Sequence, residues 1–360
     1  MKLEDYKYSV DYSKIPKAIK TEKNLNLFDL KDRKEYFEIK CGKEIKLLKE
    51  YLKTNTFIGY LVAPKLAGKG SYTVLLREVL GNNLFEVISV GDLIRNAHLD
   101  FEKNGKKSEI YKYGEGHYRG ELTLDEVFEA LINRDGSQLL SNDFALMLIK
   151  REIDRIGKKA IFIDGFPRNV DQVSYSLYFR ELVNYREDPD FFVLINIPMQ
   201  IIADRIKGRR ACPKCGNQRN IPLSVTPEVK YDEKKKELNL ICDISGCQNE
   251  IMVAKEGDEK GIELIRKRIE TDLDLMDYAR KIYGIPAIEI YNAIELDKAD
   301  EYSVPYERTQ ITKLNCEEGK IKRENSEYVI EIDDRKYIGF VQIPPVVQLI
   351  KQLVKVLNLK

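Results

Sequence analysis

Histidine is scarce in this chain: there are two in 360 residues, His98 and His117. Both sit in polar, glycine-bearing surroundings with no serine or cysteine partner pattern. They read as surface residues rather than as part of a histidine-centred catalytic set. Excess charge is also lacking. Lys+Arg number 60 against 59 Asp+Glu, so nothing pulls the protein toward a nucleic-acid polymer or an anionic membrane. No apolar run approaches the ~20 residues needed to span a bilayer. The opening Met1-Lys2-Leu3-Glu4-Asp5 lacks the apolar core of an export signal. A cytoplasmic protein with no membrane partner is expected. In that reducing setting, six cysteines argue for metal binding or plain burial rather than a disulfide framework. No repeat of ~20–50 residues is visible.

What is present is a soluble globular mix, 43% hydrophobic and 33% charged, on a chain long for one core. Five short apolar runs read as strands: Phe57–Val62, Phe85–Val90, Ala160–Ile163, Phe191–Ile195 and Pro286–Tyr291. Helical patterns lie between them, over Tyr72–Leu80, Asp125–Leu131, Asp143–Ile156, Met199–Lys207 and 258–283. Alternation of this kind predicts an α/β fold with a parallel, doubly wound sheet. In the polar first 56 residues, Gly42 breaks the pattern and Glu44–Leu52 reads as an amphipathic helix. Near the end, two alternating pairs read as hairpins: Gln310–Leu314 with Lys320–Arg323, and Tyr328–Ile332 with Tyr337–Ile343. Glu318-Gly319 and Asp333-Asp334 supply the turns, and a last helix covers Val346–Leu357.

Ala63-Pro64-Lys65-Leu66-Ala67-Gly68-Lys69-Gly70-Ser71 joins the first strand to its helix. Strand, glycine-bearing loop, lysine and helix are the layout that cradles phosphate, with backbone N–H groups and a helix N-terminus facing the anion. An ordinary strand-to-helix corner is the competing reading. Gly91-Asp92-Leu93-Ile94-Arg95 places an arginine early in a helix after the second strand, where it suits an anion or simply faces solvent. Asp164-Gly165-Phe166-Pro167-Arg168, with Gln172 beyond it, ends the third strand. A carboxylate there holds hydrated Mg²⁺ or caps the next helix. Asp204 to Arg210 crowds Arg205, Arg209 and Arg210 together. Cys212-Pro213-Lys214-Cys215 and Cys242…Cys247 follow, two pairs suited to a closed tetrahedral zinc site, with buried free thiols as the alternative.

In order, these motifs, with Arg266-Lys267-Arg268, resemble the adenylate kinase family of nucleoside monophosphate kinases. The resemblance runs from Phe57 to about Tyr291 and resumes in the last helix. It implies a P-loop three-layer fold and reversible transfer of the ATP γ-phosphoryl group to AMP, giving two ADP. By position it assigns Lys69 and the amides of Leu66, Ala67, Gly68, Gly70 and Ser71 to the β- and γ-phosphates. Arg205 and Arg209 would cover ATP from the lid base. Arg95, Arg168 and Arg268 would hold the monophosphate, and Asp164 would orient Mg²⁺. Lys69, Asp164, Arg168, Arg205 and Arg268 would be the catalytic set. Gln172 would read the acceptor base, in a pocket bordered by Val90, Glu121, Leu122, Thr123, Gly165, Phe166 and Pro167. Cys212, Cys215, Cys242 and Cys247 would bind a structural Zn²⁺ in the lid.

The implied division is an extension (1–56), a kinase core (57–207, 258–302, 344–360), a zinc-binding lid (208–257) and a β-hairpin insert (303–343). Residues 96–130 form the monophosphate-binding part of the core. A monomer is expected. Three departures stand out. Ala63 and Leu66 replace loop glycines and Lys65 adds charge. Val90 replaces a threonine. Where the family has a further arginine after the lid, only Lys255 and Glu256-Gly257-Asp258 are found. Asn169 points to pyrimidine-preferring relatives and Gln172 to adenine readers, which leaves UMP, CMP or another nucleoside monophosphate as the alternative acceptor. A transfer-inactive nucleotide-binding homologue that binds a partner is the other alternative.

Overall fold

The computed structural model describes residues 2–20, 23–133, 141–174, 182–247, 250–254, 258–317 and 320–360. The first four strands are β1 (Ile58–Val62), β2 (Phe85–Ser89), β3 (Ala160–Asp164) and β4 (Asp190–Asn196). Strands β5 (Arg209–Ala211), β6 (Gln218–Asn220), β7 (Val229–Asp232), β8 (Glu237–Leu240) and β9 (Val253–Ala254) lie in the cysteine-bearing segment expected to be the lid. Then β10 (Ala287–Tyr291) joins the main sheet, whose order is β10-β4-β1-β3-β2. Every pairing in that sheet is parallel.

The sheet forms because its strands are buried on both faces and apolar on both, as a parallel sheet covered by helices requires. Phe57, Phe85, Phe162 and Phe191 make a continuous aromatic cluster on it. Gly59 lies where a Cβ would come within 2.2 Å of the Phe162 ring, so the close approach of the rings demands glycine. Register aligns the strand ends: Asp164 is level with Leu61 on one side and with Ser89 on the other. The segments after Val62, Ser89 and Asp164 therefore leave the sheet side by side, at the edge where α/β sheets bind ligands.

All five expected core strands form, with ends within a residue or two of expectation. The helices differ more. Leu30–Tyr51 is one long helix, kinked at Cys41 rather than starting after Gly42. It packs on the last helix, Ile343–Val356, with Lys351 paired to Glu44 at 2.6 Å. Residues 258–283 are not a single helix. A 3-10 segment, Asp258–Ile265, is interrupted by Gly261 at φ 58°, and the α-helix runs from Arg266 to Lys281. The tract after Tyr291 is partly ordered. It contains β11 (Ala293–Glu295), which pairs with β15 (Arg335–Gly339), itself paired to β14 (Val329–Ile332). The other hairpin, β12 (Gln310–Glu317) with β13 (Lys320–Glu327), stands apart as a two-stranded ribbon. Asp333 and Asp334 make the expected turn with φ of 47° and 59°, while Glu318 and Gly319 lie outside the described residues.

Candidate active site at the strand ends

The helix after β1 starts at Lys69, with Gly68 as its N-cap at φ 108°. Leu66 also has a positive φ, 69°. The loop therefore keeps a shape that favours glycine at a position holding leucine, at a cost of roughly 1–2 kcal/mol. The Lys69 side chain is largely buried, and its Nζ donates to the Ala63 carbonyl at 2.8 Å. Burial pulls its pKa down, which Asp164 and Asp272 oppose. Asp164 stands 3.9 Å from Lys69 Nζ. Its carboxylate is a hard oxygen donor beside the loop, as a hydrated Mg²⁺ requires.

Asp272, on the helix that carries Arg268, was not expected in the site. Its carboxylate accepts the Lys65 backbone N–H and faces Lys69, Arg268 and Asp164. Oδ2 is buried without a hydrogen-bond partner. Burial is the largest cause of its pKa rising to about 6. The signal was there in sequence, one helical turn past Arg268, but a lone aspartate on a highly charged helix does not stand out.

Arg205 is held on the loop. One guanidinium nitrogen donates to the Leu66 carbonyl at 2.6 Å and the other to Asn292 Oδ1 at 3.4 Å. Asn292, buried just past β10, donates in turn to the Tyr72 hydroxyl. This polar chain ties the lid base to the phosphate loop, and neither Asn292 nor Tyr72 was singled out from sequence. Arg209 makes a two-pronged ion pair with Asp258, Nε to Oδ2 at 2.6 Å. Lys255, Glu256 and Gly257 lie outside the described residues.

Beside the loop, at the same sheet edge, Gly91, Arg95, Gly165 and Arg168 converge. A Cβ on Gly91 would lie 3.6 Å from Arg95 Nη1 and 3.9 Å from Arg168 Nη2. One on Gly165 would lie 3.4 Å from Arg168 Nη2 and 3.6 Å from Val90 Cβ. Arg168 Nε donates to the Gly165 carbonyl at 2.8 Å. Arg95 is exposed and paired to Asp92. Phe166 and Pro167 are buried below this loop, and the peptide between them is cis. Arg268 is exposed on its helix.

Gln172 is buried, accepts the Arg168 backbone N–H at 2.5 Å and donates to Asn142. In this state it shapes the loop that carries Arg168. Thr123 caps the helix Leu124–Ile132 with Glu126, while Glu121 and Leu122 are exposed on the same turn.

In the lid, the sulfurs of Cys212, Cys215, Cys242 and Cys247 all lie within 4.8 Å of one another. Thiolates at ~2.3 Å from a tetrahedral zinc fit such a spacing. Three of the four are buried among Leu240 and Met252, the small apolar core of the lid.

The five-stranded parallel sheet and the lysine-bearing loop after β1 are consistent with an α/β fold of the P-loop class. No family model matches the chain. An adenylate kinase from Thermotoga petrophila is 30% identical over 232 residues, covering 62% of this chain and 86% of the relative. One from Clostridium novyi is 29% identical over 210 residues, covering 58% and 78%. One from Staphylococcus epidermidis is 31% identical over 181 residues, covering 50% and 67%. The chain belongs to the adenylate kinase family and is a phosphotransferase of that kind. Among the described residues, no helix is long and apolar enough to cross a membrane.

Proposed function

We propose that the protein transfers the γ-phosphoryl group of ATP reversibly to AMP, giving two ADP. The observation that carries this is the meeting of two anion sites at one sheet edge. The Lys69 loop with Arg205 forms one, and the Arg95–Arg168 pair around Gly91 and Gly165 forms the other. Phosphoryl transfer asks for two anionic groups held in line with the charge on the equatorial oxygens neutralised. Arginine suits the acceptor because its planar fork grips phosphate oxygens in a fixed geometry.

In this reading the loop amides of Leu66 to Ser71 and Lys69 hold the ATP phosphates, and Asp164 orients Mg²⁺, which neutralises phosphate charge when bound. Arg209 covers the nucleotide from the lid base, and the closed lid excludes water. Arg268 joins Arg95 and Arg168 on the monophosphate. Gln172 exchanges one of its internal bonds for the adenine edge, since its amide both donates and accepts. Val90 and Glu121 to Thr123 border the base. The four cysteines bind a structural zinc, and the protein works as a cytoplasmic monomer with the domain division given above.

A panel of AMP, UMP and CMP with ATP and Mg²⁺, followed by ADP formation, tests the acceptor. AMP is expected to give the highest kcat/KM. A higher value for UMP or CMP reassigns the pocket, and nucleotide binding without transfer to any of the three replaces the enzyme by a nucleotide-binding homologue.

A further inference from the structure

The ribbon β12–β13 is a part of the chain that the catalytic reading does not use. Its base is fixed in the core. Thr309 donates to the Gly339 carbonyl at 2.7 Å, and Tyr328 donates to the Thr309 carbonyl at 2.8 Å. Arg308, buried at that base, bonds Ser303, Glu327 and Asp300. The arm reaches the lid. Thr312 N–H donates to the Pro222 carbonyl at 3.0 Å. The Arg323 guanidinium donates to the carbonyls of Thr226 at 3.0 Å and Pro227 at 2.6 Å. Leu314, directly opposite Arg323 in the ribbon, packs against the apolar core that holds the lid cysteines. Residues opposite each other in an antiparallel pair share one face, so the ribbon presents Leu314 and Arg323 together to the lid. Just past the ribbon, the Tyr328 hydroxyl bonds Asp204, the neighbour of Arg205.

A lid with these ties is not free to swing alone. Opening it requires either breaking the bonds to Pro222, Thr226 and Pro227 or dragging a ribbon whose base is locked in the core. We infer that the β12–β13 ribbon is a brace that holds the lid toward the phosphate loop, with Arg323 as a positioning residue for transfer. Its effect is on the balance between open and closed lid rather than on the chemical step. Removing the brace shifts that balance toward open. Capture of ATP weakens, and product release, which lid opening commonly limits, is not slowed.

The test is the full-length Arg323→Ala variant, read by amide hydrogen exchange and by steady-state kinetics. The kinetic half rests on the kinase reading proposed above; the exchange half does not. In the variant, lid peptides over 221–232 should exchange roughly tenfold faster, while β1 and β4 peptides keep their wild-type rates. The KM for ATP should rise roughly three- to tenfold with kcat unchanged or higher. Arg323→Lys, which can still donate to one carbonyl, should restore part of both effects. Unchanged lid exchange overturns the brace. So does a fall in kcat with KM unchanged, or faster exchange in the sheet as well as the lid. If the wild-type protein transfers no phosphoryl group, the kinase reading fails while the exchange result still decides the brace.

Discussion

The two proposed anion sites are in different states of readiness. The loop side is assembled: Lys69 is buried against Ala63, and Arg205 is fixed between Leu66 and Asn292. The acceptor side is loosely set, with Arg95 exposed and paired to its own helix and Arg268 exposed. The difference follows from where the residues are rooted. Loop, β10 end and lid base interlock through buried polar groups, and a buried polar chain is rigid once every member has a partner. The acceptor arginines sit on helix starts and a loop facing solvent, so a ligand has to draw them together. Binding of ATP and transfer to AMP should therefore separate by mutation.

The largest separation is expected from Arg168→Ala. Transfer should fall by roughly 10²–10³ while ATP binds within about twofold of wild type. Calorimetry with ATP beside a coupled assay checks it. A matching loss of ATP affinity would merge the two sides.

Next is the lid, which belongs with the loop side through Arg205. Metal analysis should find about one zinc per chain, and a strong chelator should lower the melting temperature by several degrees, about 3–8 °C. Four titratable thiols in a metal-free folded protein would remove zinc from the account.

A smaller effect comes from Asp272. Its carboxyl is raised to about 6, chiefly by burial. The stability linked to the protonated form is fully present below the ordinary value near 3.8 and lost as pH rises through about 6. Asp272→Asn carries no charge. It should melt higher than wild type at pH 8, and the gain should shrink as pH falls below about 6. Melting curves across that range decide it, and a gain independent of pH contradicts the assignment.

The smallest change is expected from Leu66→Gly. Relief of the positive φ is largely offset by the greater freedom of unfolded glycine, so stability should move by no more than ~1 kcal/mol. ATP affinity measured by calorimetry should improve by roughly threefold or less, because the loop amides then hold their shape without strain. A large loss of affinity would mean that the Leu66 side chain itself contacts the nucleotide.

Sequence patterns reached the parallel sheet, and named residues that the structure brings to its edge, because both are written locally. Buried strands are apolar runs, and Asp164 to Arg168 or Cys212 to Cys215 are contiguous. What escaped is long-range. Asn292 matters through Tyr72 and Arg205, which lie 220 and 87 residues away. Asp258 pairs with Arg209, 49 residues away. Strand β11 is three residues long and exists because β15 pairs with it. The contact between ribbon and lid joins Arg323 to Thr226, 97 residues apart, and no local pattern encodes it.

The central claim is that the two anion sites act on one phosphoryl group. The direct measurement is product stoichiometry when wild-type protein consumes ATP in the presence of AMP and Mg²⁺. About two ADP per ATP consumed, with no inorganic phosphate released, is the predicted result, because the acceptor arginines deliver AMP to the loop and water is kept out. One ADP and one inorganic phosphate per ATP, independent of AMP, would contradict it.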